Sequence, residues 1–267
     1  MLSALTPLIC TLGALGCADQ AADAGETTAT TEAVSPAPAA TAPAIVLTAD
    51  GKTVWNDSLG KAAVTGTIKY TGTPPERAKL DTSSDAKCHM EVLDESAIVA
   101  ADGGLKNVFV WVSDGLGDYE FEAPAEPAVL TQHGCTYVPH VLGVMKKQTL
   151  LIHNEDPTTH NVHSFSKKNK GFNMAQPEGS PSLEEVFKRD EGLFQIKCDM
   201  HAWMGCWVAV VETPFFAVTD DAGHYEFKDK LPAGTFEISF KHESFGTQKK
   251  TITVAEDGTQ TVDVTFE

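Results

Sequence analysis

Cys198-Asp-Met-His201-Ala-Trp-Met204 is the stretch on which the reading of this chain turns. Its spacing, C-x2-H-x2-M, sets a thiolate, an imidazole and a thioether on one short loop. Thiolate and thioether favour Cu(I) while imidazole tolerates Cu(II), so the set suits a copper ion that cycles between both states. A trigonal site of this type needs a second histidine from elsewhere in the fold. Upstream, after an apolar run, stands Asn154-Glu-Asp-Pro-Thr-Thr-His160-Asn-Val-His163. His160 and His163 are three residues apart and on a strand point to opposite faces, so both do not reach one ion. Either His160 or His163 therefore supplies the second imidazole.

Outward from the loop, the apolar pattern is that of strands. Residues 64–70 and 107–112 alternate, as do 149–153 in part, and 207–211, 235–240, 251–254 and 261–266 continue the pattern. Turn signals such as Gly72-Thr-Pro-Pro75, Asp102-Gly-Gly104, Asp220-Asp-Ala-Gly223 and Asp257-Gly258 separate them. Short strands with this punctuation predict an all-β chain of sandwiches. One short helix is predicted, around residues 183–188.

The ligand loop, together with His160-Asn161-Val162-His163-Ser164-Phe165, resembles the cupredoxins, most closely the plastocyanin and amicyanin group. There the loop is written C-x-x-H-P-F-M and the upstream block P-H-N-V-H-F. Tyr137-Val-Pro139, the run from Val144 to Asn154, and Gly205 to Val211 look like the strands that frame the ligands. The resemblance covers residues 123–212. It implies a Greek-key β-sandwich with one type 1 copper ion, held by His160, Cys198 and His201 in the plane and Met204 as the axial ligand. Asn161 would brace the loop that carries Cys198. The resemblance further implies an electron carrier, not an enzyme, whose electron leaves through the exposed edge of His201, ringed by Ala202 and Trp203. Plant plastocyanins carry an acidic docking run after the first ligand block, whereas this chain has Ser166-Lys167-Lys168-Asn169-Lys170. Lys167, Lys168 and Lys170 near the electron exit would orient an acidic redox partner, the alternative being a solvated loop.

A second resemblance lies further on. The run from Phe215 to Phe227, with Thr219-Asp-Asp-Ala-Gly-His-Tyr225, and Leu231-Pro-Ala-Gly-Thr-Phe-Glu-Ile resemble the hairpin and following strand of a carboxypeptidase regulatory-like (transthyretin-like) β-sandwich. The first strands of that module look like Gly66-Thr-Ile-Lys-Tyr70 and Val108-Phe-Val-Trp-Val112, which precede residue 123. Two organisations follow: a discontinuous sandwich, 45–122 plus 213–267, with the cupredoxin 123–212 inserted, or two consecutive domains with 60–122 as an extension. The module is not catalytic in its family, which implies support or partner contact.

Residues 1–17 are short, apolar and end in small residues before Cys17, an export signal rather than a structural element. They resemble a lipoprotein signal in which Cys17 is lipidated, although no Lys or Arg occurs before Lys52; a soluble periplasmic protein is the alternative. Residues 18–44, rich in Ala, Thr and Pro, read as a disordered tether. Localisation at a cell surface or in the periplasm is the expectation, with membrane contact only through the lipid. A net charge of −17 excludes a nucleic-acid partner. With Cys198 on the metal, Cys88 and Cys135 are the expected disulfide and Cys206 a core thiol. His133, His140 and His153 read as structural residues. His242-Glu243 lacks the second His of a zinc-protease motif, since Gly246 stands in its place. The unidentified donor and acceptor would be redox proteins. The alternatives to electron transfer are a copper-buffering or delivery protein and an interaction module with a vestigial site.

Overall fold

Alternating burial makes the strands. Across residues 63–70 the side chains of Val64 and Ile68 are buried while Thr65, Thr67 and Lys69 face outward, the period of two expected of a half-buried strand. The computed structural model describes residues 45–267; the signal, the tether and Cys17 lie outside the described residues. The strands are β1 (Thr53–Val54), β2 (Ala63–Tyr70), β3 (Phe109–Asp114), β4 (Tyr119–Glu120), β5 (Ala128–His133), β6 (Thr136–Val138), β7 (Val141–Met145), β8 (Thr149–Asn154), β9 (His160–Ser164) and β10 (Asn173–Gln176). They continue as β11 (Leu183–Val186), β12 (Glu191–Lys197), β13 (Gly205–Val211), β14 (Phe216–Val218), β15 (His224–Glu226), β16 (Gly234–His242), β17 (Gly246–Val254), β18 (Thr259–Thr261) and β19 (Val264–Phe266). The one helical turn among the described residues is a 3-10 turn at Asp57–Leu59. No helix is long and apolar enough to cross a membrane among those residues.

One sandwich faces sheet β10-β9-β12-β13-β7 against sheet β11-β8-β5-β6. Leu130, Tyr137, Leu150, Ile152, Val162, Ile196 and Val208 fill the space between them. The second sandwich pairs sheet β14-β3-β16-β17 with sheet β15-β2-β18, and β19 adds to β2. Val64, Ile68, Val110, Phe215, Phe236, Phe240 and Phe266 share its core. Its strands come from both sides of residues 123–212, so two separated stretches of chain build it. The two sandwiches meet along a third apolar cluster, where Phe109 of β3 joins Val141 and Met145 of β7 and Ala209 and Val211 of β13.

Two expectations need correction. Residues 183–188 contain no helix; β11 pairs antiparallel with β8, Leu183 opposite Ile152, and alternates half-buried and exposed side chains. An isolated helix this short cannot recover its nucleation cost, while the edge of β8 offers a ready ladder. The second concerns 45–122, assigned above, with 213–267, to the discontinuous sandwich. Between β2 and β3 the chain leaves that sandwich, and Cys88 is buried in the core of the other one.

Candidate metal centre

Antiparallel pairing sets the ligand strands side by side. Ile196 of β12 lies opposite Ser164 of β9 and Lys197 opposite His163, so the residues that follow Lys197 meet the start of β9. The loop after β12 closes on itself: Cys198 N donates to Met204 O at 3.2 Å, and Met204 N to His201 O at 2.9 Å. His160, Cys198, His201 and Met204 are each at most 3% exposed.

Three donor atoms converge. His160 Nδ1 and His201 Nδ1 stand 2.9 Å apart, and Cys198 Sγ is 3.7 Å from His201 Nδ1. All lie within 4.8 Å of one another, and the buried thioether of Met204 belongs to the same core. Both far nitrogens are occupied: His160 Nε2 by Asp156 Oδ2 at 2.8 Å, His201 Nε2 by Asp85 Oδ2 at 3.1 Å. With each outer nitrogen donating to a carboxylate, each Nδ1 keeps its lone pair for the common point. Nitrogens about 2.0 Å from an ion stand about 3 Å apart around it, and thiolate sulfur sits slightly further out, so the donors fit a single small soft-to-borderline cation such as copper.

The carboxylates are held in turn. Asp156 accepts from Gly134 N at 2.7 Å and Cys135 N at 2.9 Å. Gly134 and Cys135 both take positive φ, 63° and 56°, at the turn between β5 and β6. That conformation is costly for a cysteine, and the two N–H bonds to Asp156 help to hold it. Burial lowers the His160 pKa against the opposing pull of Asp156, which keeps the imidazole neutral and able to ligate. Asp85 is held below the ordinary carboxylate range, first by the Lys87 N–H and next by the Thr158 hydroxyl.

Asn161 sits on the outer side of the loop. Its N–H points at Cys198 Sγ, 3.4 Å away, and its side-chain oxygen accepts from Asp199 N. Tyr137 Oη donates to Asn161 O at 2.6 Å, tying β6 to β9 at the ligand. His163 faces away from the donors, its Nδ1 on the Asp199 carboxylate at 3.0 Å and its ring over Phe165. Cys88 and Cys135 form a disulfide, and Cys206 is a free, buried thiol whose pKa burial pushes far up.

The docking surface is corrected on both counts. His201 is 3% exposed, and its outer edge meets Asp85 rather than solvent. Trp203 is half-buried, tilted against the His201 ring at 4.9 Å, and its Nε1 donates to Cys135 O at 3.0 Å. Lys167, Lys168 and Lys170 are exposed but sit at the other end of the sandwich, because the loop that carries them folds around Glu191, the first residue of β12. Cys198 follows the last residue of that strand, about 20 Å away at the usual rise. Ligand spacing carries no information about a remote segment that covers the site, so Asp85 was not singled out. Asp156 was nearer to view, four residues before His160 in the quoted block.

No family model matches the chain, and no curated protein matches it. Among solved structures it is similar to a copper-containing nitrite reductase from Thermus scotoductus, with 19% identity over 33% of this chain and 23% of that one, at a TM-score of 0.31. A purple cupredoxin from Nitrosopumilus maritimus is similar at 25% identity, over 31% of this chain and 98% of that one, TM-score 0.27. A copper(I) amicyanin variant is similar at 20% identity, over 33% of this chain and 86% of that one, TM-score 0.28.

Proposed function

We propose that this chain is an exported type 1 copper protein that passes single electrons between redox partners. The observation that carries the reading is the meeting of His160 Nδ1, His201 Nδ1 and Cys198 Sγ at one buried point. Copper, when bound, would supply the one-electron couple. The protein's part is to hold four donors in a cage that changes little with oxidation state. Asp156 and Asp85 fix the imidazoles, Asn161 directs an N–H at the thiolate, and surrounding apolar residues exclude water. His160, Cys198 and His201 would hold the ion, with the buried Met204 thioether beside them, and the burial of all four side chains supports a carrier rather than a catalyst.

The Cys88–Cys135 disulfide supports an oxidising compartment, and with it export to the periplasm or cell surface. Donor and acceptor are redox proteins on this reading. A closed site favours electron exchange over delivery, because releasing the ion would require moving Asp85 and its neighbours. Copper titration of the purified protein, followed by visible absorption and voltammetry, tests the reading. An intense visible band and a reversible one-electron wave are expected. Colourless uptake of Cu(I), with release to a chelating acceptor, would instead make this a buffering or delivery protein.

A further inference from the structure

Asp85 lies outside every strand that carries a ligand, on the excursion between β2 and β3. Yet it makes the longest-range hydrogen bond at the metal centre. Its Oδ2 accepts from His201 Nε2 at 3.1 Å and from Thr158 Oγ1 at 2.7 Å, and its Oδ1 accepts from Lys87 N at 2.8 Å. Cys88 N donates to Asp85 O at 3.0 Å, closing the turn. Two further ties hold this turn on the sandwich: Lys87 Nζ donates to Pro157 O at 3.0 Å, and the disulfide joins Cys88 to Cys135. Cys88 Sγ, an Asp85 oxygen and a His201 nitrogen lie within 4.8 Å of one another. Trp203 closes the other flank of the ring.

We propose that Asp85 is a positioning residue of the copper site, carried in by a disulfide-anchored cover over residues 80–91. The inference rests on the copper reading given above. The carboxylate has two effects on His201. It fixes the tautomer with hydrogen on Nε2 and the lone pair on Nδ1, and it makes that nitrogen a stronger donor. A stronger donor favours the more highly charged oxidation state of the ion, so Asp85 lowers the reduction potential. The cover also removes the His201 edge from solvent, so a partner cannot take the electron from that edge by simple contact. Asp156 does the same for His160 from within the sandwich. Asp85 is the distinctive member because a segment of the other stretch of chain delivers it.

Asp85→Asn and Asp85→Ala in the full chain, with the disulfide intact, test this. Cu(II) affinity should fall about 10- to 100-fold, Cu(I) affinity should fall less, and the potential should rise while the visible band survives. A role confined to stability would lower both affinities together and leave the potential in place. Electron exchange with a small anionic reagent should quicken as the His201 edge opens. A copper-free readout separates this inference from the copper reading. In the metal-free protein, the His201 Nε2–H should be visible by nitrogen-15 NMR as a slowly exchanging proton, and should be lost in Asp85→Ala but not in Lys168→Ala. If that proton persists in Asp85→Ala, or if the potential stays unchanged in both variants, the assignment is overturned. If wild-type protein takes up no copper but the proton behaves as stated, the positioning of His201 stands and the copper reading fails.

Discussion

The two ends of the inserted sandwich are organised by the same device and put it to different use. At the lysine end, Glu191 gathers Lys167 N at 2.7 Å, Lys168 N at 3.2 Å and the Ser166 hydroxyl. Asn169 Oδ1 accepts from Lys188 N and Arg189 N, locking two loops together. At the metal end, Asp156 gathers Gly134 N and Cys135 N, while Asp85 gathers Lys87 N and the Thr158 hydroxyl. Carboxylates collecting orphaned N–H groups are a general answer to loops that cannot form ladders. What differs is the remaining lone pair. Glu191 spends all its acceptors on its loops, whereas Asp85 and Asp156 each turn one oxygen to an imidazole. On the copper reading proposed above, a carboxylate that shapes a loop becomes part of a metal site when its last acceptor meets a ligand.

The hardest blow to this comparison falls on the metal end. Cys198→Ser should abolish the intense visible band, since that band requires a thiolate on Cu(II). Met204→Leu should keep copper and colour while moving the potential, because an axial thioether tunes rather than anchors. An equally coloured Cys198→Ser protein would place the metal elsewhere.

Next comes the anchor of the cover. Cys88 and Cys135 are separated by 47 residues, and closing such a loop stabilises a chain by up to about 4 kcal/mol in the entropy model. Cys88→Ser with Cys135→Ser should lower unfolding stability by roughly 2–4 kcal/mol in denaturant titration. It should also shift the copper potential in the same direction as loss of Asp85, since the cover then loses its one covalent tie and keeps only the hydrogen bonds of Lys87, Thr158 and His201. A stability loss without any change in potential would show that the cover stays in place without its bridge.

How much of this was legible beforehand follows from how local each feature is. The ligand loop is seven consecutive residues whose donors sit at fixed spacing, so it reads directly. That His160 and His163 do not both reach one ion was readable from strand alternation, the choice between them came from the resemblance, and His163 faces Asp199. The strands at 64–70, 107–112, 149–153, 207–211, 235–240 and 251–254 were readable from alternation, whereas Ala128–His133, Asn173–Gln176 and Glu191–Lys197 alternate too weakly to be marked out and Leu183–Val186 fits either periodicity. The exposure of His201 was not readable. It depends on Asp85, 116 residues away, and no spacing rule joins a turn of the excursion between β2 and β3 to a ligand so distant in sequence. The lysine run was legible as charge, but its place was not. Where a loop lies along a sandwich depends on register, and Phe165 N bonding Gln195 O sends the chain away from Cys198.

A smaller effect tests the lysine end. Burial works to raise the Glu191 pKa, but the bonds from Ser166, Lys167 and Asn169 outweigh it and the net shift is downward. A carboxyl with a lowered folded pKa contributes stability that is whole above its unfolded value, about 4.3, and is lost as pH falls through the lower folded value. Glu191→Gln should therefore cost about 1–3 kcal/mol at neutral pH, and this difference from wild type should shrink below about pH 4. Copper spectrum and potential should not move. A spectral change in Glu191→Gln would mean that the two ends are coupled through β12.

The smallest effect is expected from the lysines themselves. Lys167→Glu with Lys168→Glu changes the formal charge from −17 by four units, to −21. Lys168 loses only an exposed contact to Asp190 at 3.3 Å, and such pairs contribute little. The charges stand about 20 Å from Cys198 along β12, beyond the roughly 8 Å over which exposed charges act at physiological ionic strength. Electron exchange between the copper-loaded protein and a small anionic reagent should therefore stay within about twofold of wild type at that salt, and rise or fall only at low ionic strength. With a protein partner the same pair of substitutions becomes a probe of where contact is made. A partner that docks at the covered His201 or at the exposed Met200 side would scarcely sense them. A partner whose association slows sharply would be using the lysine end, and the electron would then have to travel the length of β12. That result would separate the surface that recognises the partner from the residues that hold the ion, and would give the Glu191-built loops a role beyond their own folding.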